Sequence, residues 1–339
     1  MKRLFEPLEL KKLKLKNRIV MPPMCMYSAE EGLANAFHET HYTTRAMGGT
    51  GLIIVEATGV LPQGRISDHC LGLWNDAQGE ALSRVVERVH AAGAKIGIQL
   101  IHAGRKSTVT GRPLQAPSAV RFSEDFPVPE EMSKTEIEEV VEAYRSAALR
   151  ALNAGFDLVE IHAAHGYLIN QFLSPLVNYR SDAYGENQFL LLTEVVQSVR
   201  SVWPVEMPLS VRISAEEYDK GGLHPEDLAS GILGANLQAL GVDLLHVSSG
   251  GVVSAPVRDF PGYQLEFARV IGTTTGIPTI TGGRMTDPVH VEDVLALPGI
   301  DLVFLGRELL RNPYWPLAAA QRLGVEIEWP KQYERARYK

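Results

Sequence analysis

The chain has 339 residues, of which 45% are hydrophobic and 22% charged, so it can bury a large core, and single-domain α/β barrels reach this length. Its formal net charge of -7 disfavours a nucleic-acid-binding surface. No apolar run approaches the roughly 18 residues of a membrane span, and no signal peptide is recognisable, so we expect a cytoplasmic protein without a membrane partner.

The cysteine content argues against metal sites and disulfides. With only Cys25 and Cys70, the chain cannot hold a four-thiolate iron–sulfur cluster or build a disulfide framework. The separation of the two cysteines does not match structural zinc either, so we expect no metal.

Short β-branched runs alternate with amphipathic stretches along the whole chain. The predicted strands are residues 18–21, 51–56, 95–100, 158–163, 209–214, 244–249, 279–283 and 302–307. The clearest helix begins at a capping box, Ser133 to Glu136, and ends at Gly155. Eight β-then-α units predict an α/β fold, a single (β/α)8 TIM barrel. An open doubly wound sheet is the alternative, but its G-x-G-x-x-G fingerprint is absent from the first βα turn.

Three segments lie outside this repeat. Residues 4–10 and 13–16 predict an N-terminal hairpin that closes the barrel floor. Residues 106–132, after the third strand, are rich in Pro, Gly and Ser, which favours a lid over the mouth. Residues 328–339 form a C-terminal tail. We therefore predict one domain over residues 1–339, with a lid at 106–132 and a tail at 328–339.

Polar side chains follow the strands at the end where barrel enzymes place their chemistry. After the fourth strand, His162, His165 and Tyr167 can hydrogen-bond and exchange protons near neutral pH. Strand alternation turns Gln99 and Arg212 into the barrel interior. This set predicts an active site at the mouth.

Two features of the strand ends predict an anionic ligand. A buried arginine requires an anionic partner, and for Arg212 no strand end offers an internal carboxylate except Glu160. The glycines after the last two strands, together with Arg307, match the phosphate site that is common in such barrels.

Six fragments resemble the Old Yellow Enzyme family, in the family's order and at the matching strand ends. They are Pro23-Met-Cys-Met-Tyr27, Ile98-Gln-Leu100 with His102-Ala-Gly-Arg-Lys106, His162-Ala-Ala-His-Gly-Tyr-Leu168, Val211-Arg-Ile-Ser214, Gly283-Arg-Met-Thr-Asp287 and Phe304-Leu-Gly-Arg-Glu308. Cys25, Tyr27 and the C-terminal Gln332-Tyr-Glu-Arg335 resemble the family's "thermophilic-like" branch of NADPH dehydrogenases.

The resemblance implies a non-covalent FMN at the barrel mouth, reduced by NADPH or by NADH. The implied reaction is a ping-pong reduction of activated C=C bonds of α,β-unsaturated carbonyls, with nitro compounds as further substrates. His162 and His165 would bind the substrate's carbonyl oxygen, and Tyr167 would give the proton. Tyr27 and Arg335 would also contact substrate, Arg335 from a neighbouring subunit of a homodimer or homotetramer. The implied FMN-binding residues are Pro22, Pro23, Met24, Cys25, Gly59, Gln99, Arg212, Gly283, Gly306 and Arg307.

Other interpretations stay open. Cys25 either tunes the flavin or packs as a buried hydrophobe, and Arg307 could pair with Glu308 or Asp301. A flavin-binding barrel with little turnover could lack a proton donor, whereas Tyr167 is present. A flavin-free barrel lyase would need a Schiff-base lysine inside the barrel, and no strand end offers one.

One loop departs from the family pattern. Residues 182–188 are shorter than the family's Gly-rich turn, and Gln188 stands where the family has arginine. Because this loop follows the fourth strand, we expect any difference in substrate access to lie beside the histidines.

Overall fold

A computed structural model describes residues 2–229, 237–257 and 259–337. The strands in chain order are β1 (Leu8–Leu10), β2 (Leu13–Leu15), β3 (Ile19–Met21), β4 (Leu52–Gly59), β5 (Lys95–Ile101), β6 (Gln115–Ala116), β7 (Glu130–Glu131), β8 (Leu158–Ala163), β9 (Leu209–Ser214), β10 (Leu244–Ser248), β11 (Thr279–Gly282) and β12 (Leu302–Phe304). The helices are α1 (Ala36–Met47), α2 (Asp76–Ala91), α3 (Lys134–Asn153), α4 (Leu168–Leu173), α5 (Ala183–Glu186), α6 (Leu190–Arg200), α7 (Pro225–Leu228), α8 (Leu265–Thr275), α9 (Pro288–Leu295), α10 (Arg307–Arg311) and α11 (Trp315–Arg322).

Eight of these strands close into one parallel barrel, as predicted. The order around the barrel is β3, β4, β5, β8, β9, β10, β11 and β12, and β12 pairs back to β3. Two predicted strand ends are wrong by more than one residue. Strand β4 continues to Gly59, because its pairing with β5 shifts register between Val55 and Thr58 and so interrupts a regular strand pattern. Strand β12 ends at Phe304, and Arg307 begins α10.

The barrel interior is apolar near its floor and polar toward its mouth. The lower interior is one buried cluster that includes two hairpin leucines at its base and Phe304 at its upper edge. Its members are Leu13, Leu15, Val20, Leu52, Ile54, Leu158, Leu244, Ile280, Leu302 and Phe304. Above the floor, two polar layers span neighbouring strands in register, first Gln99, Glu160 and Ser210, then His162, Arg212 and His246. These layers carry polar groups up to the carboxyl ends of the strands, where barrels place their sites.

The N-terminal hairpin closes the floor but is shorter than predicted. Strands β1 and β2 pair antiparallel, and Leu13 and Leu15 are buried against the barrel's lower layers. The prediction of a strand from residue 4 is wrong, because Arg3–Phe5 form a 3-10 turn. The backbone N–H groups of Arg3 and Leu4 donate to the carboxylate of Glu292 at 2.9 Å each instead of to a partner strand.

Helix α3 begins as predicted. The Ser133 hydroxyl accepts the Glu136 N–H at 3.3 Å, and the Glu136 carboxylate accepts the Ser133 N–H at 2.8 Å. This reciprocal capping box satisfies two otherwise unpaired donors. Gly155 lies just after the helix in the left-handed region, at φ +89°. None of the helices in the described residues is long and apolar enough to cross a membrane.

The segment 106–132 leaves the barrel after β5. Its two short strands, β6 and β7, pair in parallel. The buried guanidinium of Arg105 donates to the carbonyls of Val120 at 3.0 Å and Val252 at 2.5 Å. One arginine thus joins the segment to the loop that follows β10.

Candidate active site

The paired histidines lie at the end of β8, edge to face. Nε2 of His162 is 3.3 Å from Nδ1 of His165. Nδ1 of His162 accepts the Ala164 N–H at 3.2 Å, so the ring's proton is on Nε2. Burial, reinforced by the charge of Arg212, lowers the pKa of both rings. Both are therefore neutral at neutral pH, and each can donate one N–H.

A tight turn fixes His165. Its backbone is left-handed at φ +57°, and its N–H donates to the Ser214 hydroxyl at 2.8 Å. The next residue, Gly166, has φ +71°, and its N–H donates to Asn170 Oδ1 at 2.7 Å. A Cβ at Gly166 would lie 2.0 Å from the carbonyl oxygen of Gly251. The turn therefore requires glycine, for both its φ and its close approach to the loop after β10.

A hydroxyl on β10 contacts the far side of the His165 ring. Ser248 Oγ lies 2.6 Å from His165 Nε2 and accepts the Gln264 amide N–H at 3.1 Å. Because Gln264 already donates to it, Ser248 has a proton of its own that it can give to Nε2, and the ring proton of His165 can then lie on Nδ1 when a bound ligand separates the two rings. Sequence analysis missed Gln264, which precedes α8 and is not at a strand end.

The phenol of Tyr167 is packed beside His162. The two ring centroids are 5.1 Å apart, and burial raises the pKa of the tyrosine well above its usual value. Lys106 Nζ lies 5.2 Å from the Tyr167 ring centroid and donates to the carbonyls of His165 at 2.8 Å and Gly251 at 3.0 Å. Burial, with a contribution from neighbouring Arg105, lowers the pKa of Lys106 to about 8. Because its own pKa is raised, Tyr167 keeps its proton at neutral pH.

Arg212 lies inside the barrel, as alternation predicts. The residue is 7% exposed, and its guanidinium carbon lies 5.8 Å from the Phe304 ring centroid. Its buried Nε has no hydrogen-bond partner among the described residues. It forms no salt bridge with Glu160, whose carboxylate accepts the Gln99 amide instead, at 2.8 Å. A buried cation with an unpaired donor is what an anionic or electron-rich ligand would satisfy.

A cavity of about 520 Å³ opens after β11 and β12. Gly283 has φ +110° there, and a Cβ would come within 2.7 Å of the Tyr263 ring. Glu308 pairs with Arg311 at 2.7 Å, and Arg307 forms no ion pair within the described residues. The cavity is lined by Asp259, Phe260, Pro261, Tyr263, Gly283, Arg284, Met285, Thr286, Phe304, Gly306, Arg307, Glu308 and Arg311. Its glycines and unpaired arginine suit a phosphate.

The loop after β3, residues 22–27, lies beside this cavity, because β3 pairs with β12. The Met26 N–H donates to Glu56 Oε2 at 2.9 Å, and Tyr27 is left-handed at φ +51° and 53% exposed. A hydrogen bond to the thiol of Cys70, followed by burial, raises the pKa of Cys25. Sequence analysis missed Glu56 and the contact between the two free thiols of Cys25 and Cys70, since contacts between separate loops leave no local pattern. No group of three or more His, Cys, Asp or Glu is placed to hold a metal in the described parts of the chain.

The structure thus brings the predicted strand-end residues to one end of the barrel. Pro22, Pro23, Met24 and Cys25 follow β3, Gly59 ends β4, Gln99 is on β5, Arg212 is on β9, and Gly283, Gly306 and Arg307 follow β11 and β12.

Arg335 is separate from this set. It is exposed in the 3-10 turn Lys331–Ala336, whose Tyr333 packs edge to face on Tyr314 with ring centroids 5.8 Å apart. The shortened loop 182–188 contains α5, and Asp182 accepts from Arg180 at 2.6 Å.

Comparisons with known proteins agree with this geometry. A model of the NADH:flavin oxidoreductase / NADH oxidase family matches residues 3–326. The chain is 54% identical to an NADPH dehydrogenase of Geobacillus thermodenitrificans over 98% of each chain. It is 50% identical to an NADPH dehydrogenase of Clostridium acetobutylicum over 98% of this chain and 99% of that one. A solved structure of morphinone reductase matches with a TM-score of 0.81 and 32% identity, covering 97% of this chain and 91% of that one.

Fold and site together define a flavin-dependent oxidoreductase built on a TIM barrel. The unpaired buried Nε of Arg212 and the glycine-lined cavity fit a flavin with a phosphate tail. The chain belongs to the Old Yellow Enzyme family, the NADH:flavin oxidoreductase / NADH oxidase family, whose members bind FMN non-covalently.

Proposed function

We propose that this enzyme reduces activated C=C bonds of α,β-unsaturated carbonyl compounds, and also nitro compounds, in a ping-pong reaction with NADPH, or NADH as the alternative reductant. When bound, FMN would supply the hydride-transfer chemistry between the nicotinamide and the substrate's β-carbon. The observation that carries the proposal is the pair of neutral imidazoles, with Nε2 of His162 3.3 Å from Nδ1 of His165, beside a protonated Tyr167. The names of the relatives, NADPH dehydrogenase and morphinone reductase, support the same chemistry.

Ten residues are proposed to hold FMN. Gln99 and Arg212 would contact the ring from inside the barrel, and Arg212 would stabilise the negative charge that the reduced ring carries. Gly283, Gly306 and Arg307 would hold the phosphate. The others, which come from the first two barrel strands, are Pro22, Pro23, Met24, Cys25 and Gly59.

His162 and His165 are proposed to donate to the substrate's carbonyl oxygen. Nε2 of His162 and Nδ1 of His165 face each other at 3.3 Å, and only one proton fits between them. A substrate carbonyl therefore receives two hydrogen bonds only if it lies between the two nitrogens and moves the rings apart. Each of these nitrogens must then carry a proton. Nδ1 of His162 accepts from Ala164, and Nε2 of His165 can accept from Ser248, which places both protons toward the substrate. Preorganised donors of this kind stabilise the enolate that forms; losing one typically costs about 2.7–4 kcal/mol.

Tyr167 is proposed to protonate the α-carbon. Its pKa is raised by burial, so the phenol keeps its proton across the neutral range and can act as a general acid. Lys106, which donates to two backbone carbonyls, holds the turn that carries Tyr167 instead of offering a free amine for Schiff-base chemistry.

Substrate access is proposed to involve three further parts of the chain. Tyr27, exposed and at the mouth, would seat the substrate. The segment 106–132 would act as a lid, since Arg105 and Lys106 tie its start to the loop after β10. Arg335 would enter the site of a neighbouring subunit in a homodimer or homotetramer.

An anaerobic visible spectrum of the purified protein tests the function. We expect flavin peaks that bleach with NADPH and return on addition of cyclohexenone. An FMN spectrum that bleaches but does not recover with the enone, while molecular oxygen restores it, would reject alkene reduction and leave a flavin-binding barrel with little turnover. A colourless protein that cannot take up FMN would instead favour the flavin-free lyase.

A further inference from the structure

A buried carboxylate lies one layer below Arg212. Glu160 is 0% exposed and is held from three strands at once. Its Oε1 accepts the amide of Gln99 at 2.8 Å, and its Oε2 accepts the Ser210 hydroxyl at 3.1 Å and lies 2.9 Å from His246 Nδ1. Satisfied from β5, β9 and β10, this carboxylate has a fixed position within the barrel.

Glu160 carries the negative charge that opposes Arg212. Burial alone would raise the pKa of Glu160, but the neighbouring His246 and Arg212 and the hydrogen bonds from His246 and Gln99 outweigh it and hold that pKa below its usual value. Burial, followed by the charge of Arg212, lowers the pKa of His246 to about 4. At neutral pH, the two layers beneath the mouth therefore hold one carboxylate, one guanidinium and neutral imidazoles.

The same carboxylate decides which way the Gln99 amide faces. A carboxylate only accepts hydrogen bonds, so the amide nitrogen of Gln99 must point at Glu160. The carbonyl oxygen of Gln99 is then left for other partners. An oxidised isoalloxazine ring carries a single N–H, and an amide oxygen is the complementary acceptor for it.

We propose that Glu160 is a positioning residue for FMN, which turns the carbonyl oxygen of Gln99 toward the ring and offsets the charge of Arg212. This inference rests on the proposed placement of FMN over Gln99 and Arg212. Without the negative charge of Glu160, Arg212 would be uncompensated in a medium of low dielectric constant, and a reduced, negatively charged ring would gain affinity relative to the oxidised ring. The carboxylate therefore keeps the midpoint potential of the flavin lower than Arg212 alone would set it.

The test compares the flavin midpoint potential and the Kd for oxidised FMN in the full-length protein and its variants. For Glu160→Gln we expect reduced FMN to gain at least tenfold in affinity relative to oxidised FMN, which raises a two-electron potential by about 30 mV. The matched control is Ser210→Ala, which removes one hydrogen bond to the carboxylate but no charge. We expect its ratio of affinities for reduced and oxidised FMN to stay within threefold of the wild-type ratio.

The variant Arg212→Met distinguishes an error in the proposed FMN placement from an error in the proposed role of Glu160. If FMN lies as proposed, this variant lowers the potential; an unchanged potential would overturn the placement itself. If Arg212→Met lowers the potential while Glu160→Gln leaves it unchanged, the placement stands and the role of Glu160 is overturned. If Glu160→Gln alone does not fold, the test uses the double variant with Glu160→Gln and Arg212→Met, which removes both buried charges together. We expect its potential to lie above that of Arg212→Met, and equal potentials would overturn the inference.

Discussion

Two tyrosines at the mouth differ in burial, and that difference separates their roles. Tyr167 packs against His162, whereas Tyr27 is 53% exposed. We predict that Tyr167→Phe slows reoxidation of the enzyme by cyclohexenone by about 10² to 10⁴-fold, the usual contribution of a general acid, and leaves reduction by NADPH unchanged. Stopped-flow measurement of each half-reaction checks this. Tyr27→Phe is the control, and an equal loss in both variants would remove Tyr167 from its special role.

Glu56 gives the stability of the protein a pH dependence that can be measured. The residue is fully buried, and burial raises its pKa to about 7 in spite of hydrogen bonds from Met26 and Tyr42. Because its pKa is higher in the folded state, its stabilising contribution is complete below about pH 4.5 and is lost as the pH rises to about 7. The loss is on the order of 3 kcal/mol.

Glu56→Gln, which cannot ionise, should lack that loss. We predict that the melting temperature of the variant rises relative to wild type between about pH 4.5 and 7, and that the gap is constant above pH 7. Differential scanning calorimetry across this range measures it. The exposed Glu9→Gln should show no such trend, and a gap for Glu56→Gln that does not vary with pH would contradict the raised pKa.

Among the elements, Arg180 connects the loop after β8 to the segment 106–132. Its side chain, 6% exposed, donates to the carbonyls of Pro117 at 3.1 Å and Met132 at 2.7 Å and pairs with Asp182. Arg180, held by Asp182 of the shortened loop, thus braces the middle and the C-terminal end of the segment that we propose as a lid.

We predict that Arg180→Ala raises amide hydrogen exchange in residues 115–132 at least tenfold, because each lost hydrogen bond to a buried carbonyl costs about 1 kcal/mol or more. Exchange in the barrel strands should not change. Mass spectrometry of the exchanged peptides reads both. Arg145→Ala, which removes an ion pair with Glu142 on the outer face of α3, is the control. If Arg180→Ala changes exchange equally in all peptides, or in none, Arg180 does not brace the segment.

The sequence predicts what is local and periodic, and it misses contacts between distant strands. The eight runs, the Ser133 cap and the inward-facing Arg212 all follow from patterns within a few residues, and the structure confirms them. The partner of Gln99 lies 61 residues away on the next barrel strand, in a register that no local pattern predicts. Sequence analysis could therefore name Glu160 only as the one carboxylate available to Arg212, whereas the structure shows it bonded to Gln99, Ser210 and His246.

At the scale of the whole molecule, Arg335 provides a test of whether a neighbouring subunit contributes to substrate binding, as we propose. The residue is exposed on the tail that packs through Tyr333 onto Tyr314. We predict that Arg335→Ala raises KM for the enone roughly tenfold, the effect of one charge-assisted hydrogen bond, and leaves kcat and the sedimentation coefficient unchanged. Arg322→Ala, at the end of α11, is the control. An unchanged KM in a variant whose sedimentation coefficient equals that of wild type would reject the role.

The close approach of Gly166 to Gly251 limits how this enzyme can be re-engineered. A side chain at either position would collide with the other loop's backbone, and Lys106 bonds to carbonyls of both loops. Libraries that randomise either glycine should therefore consist almost entirely of inactive clones, and insertions after β8 and after β10 are not independent of each other. Mutational freedom to accept bulkier alkenes lies on the rim that these loops leave open, at Tyr27 and along residues 107–121, which exclude Lys106 and the Phe122 ring that packs on it.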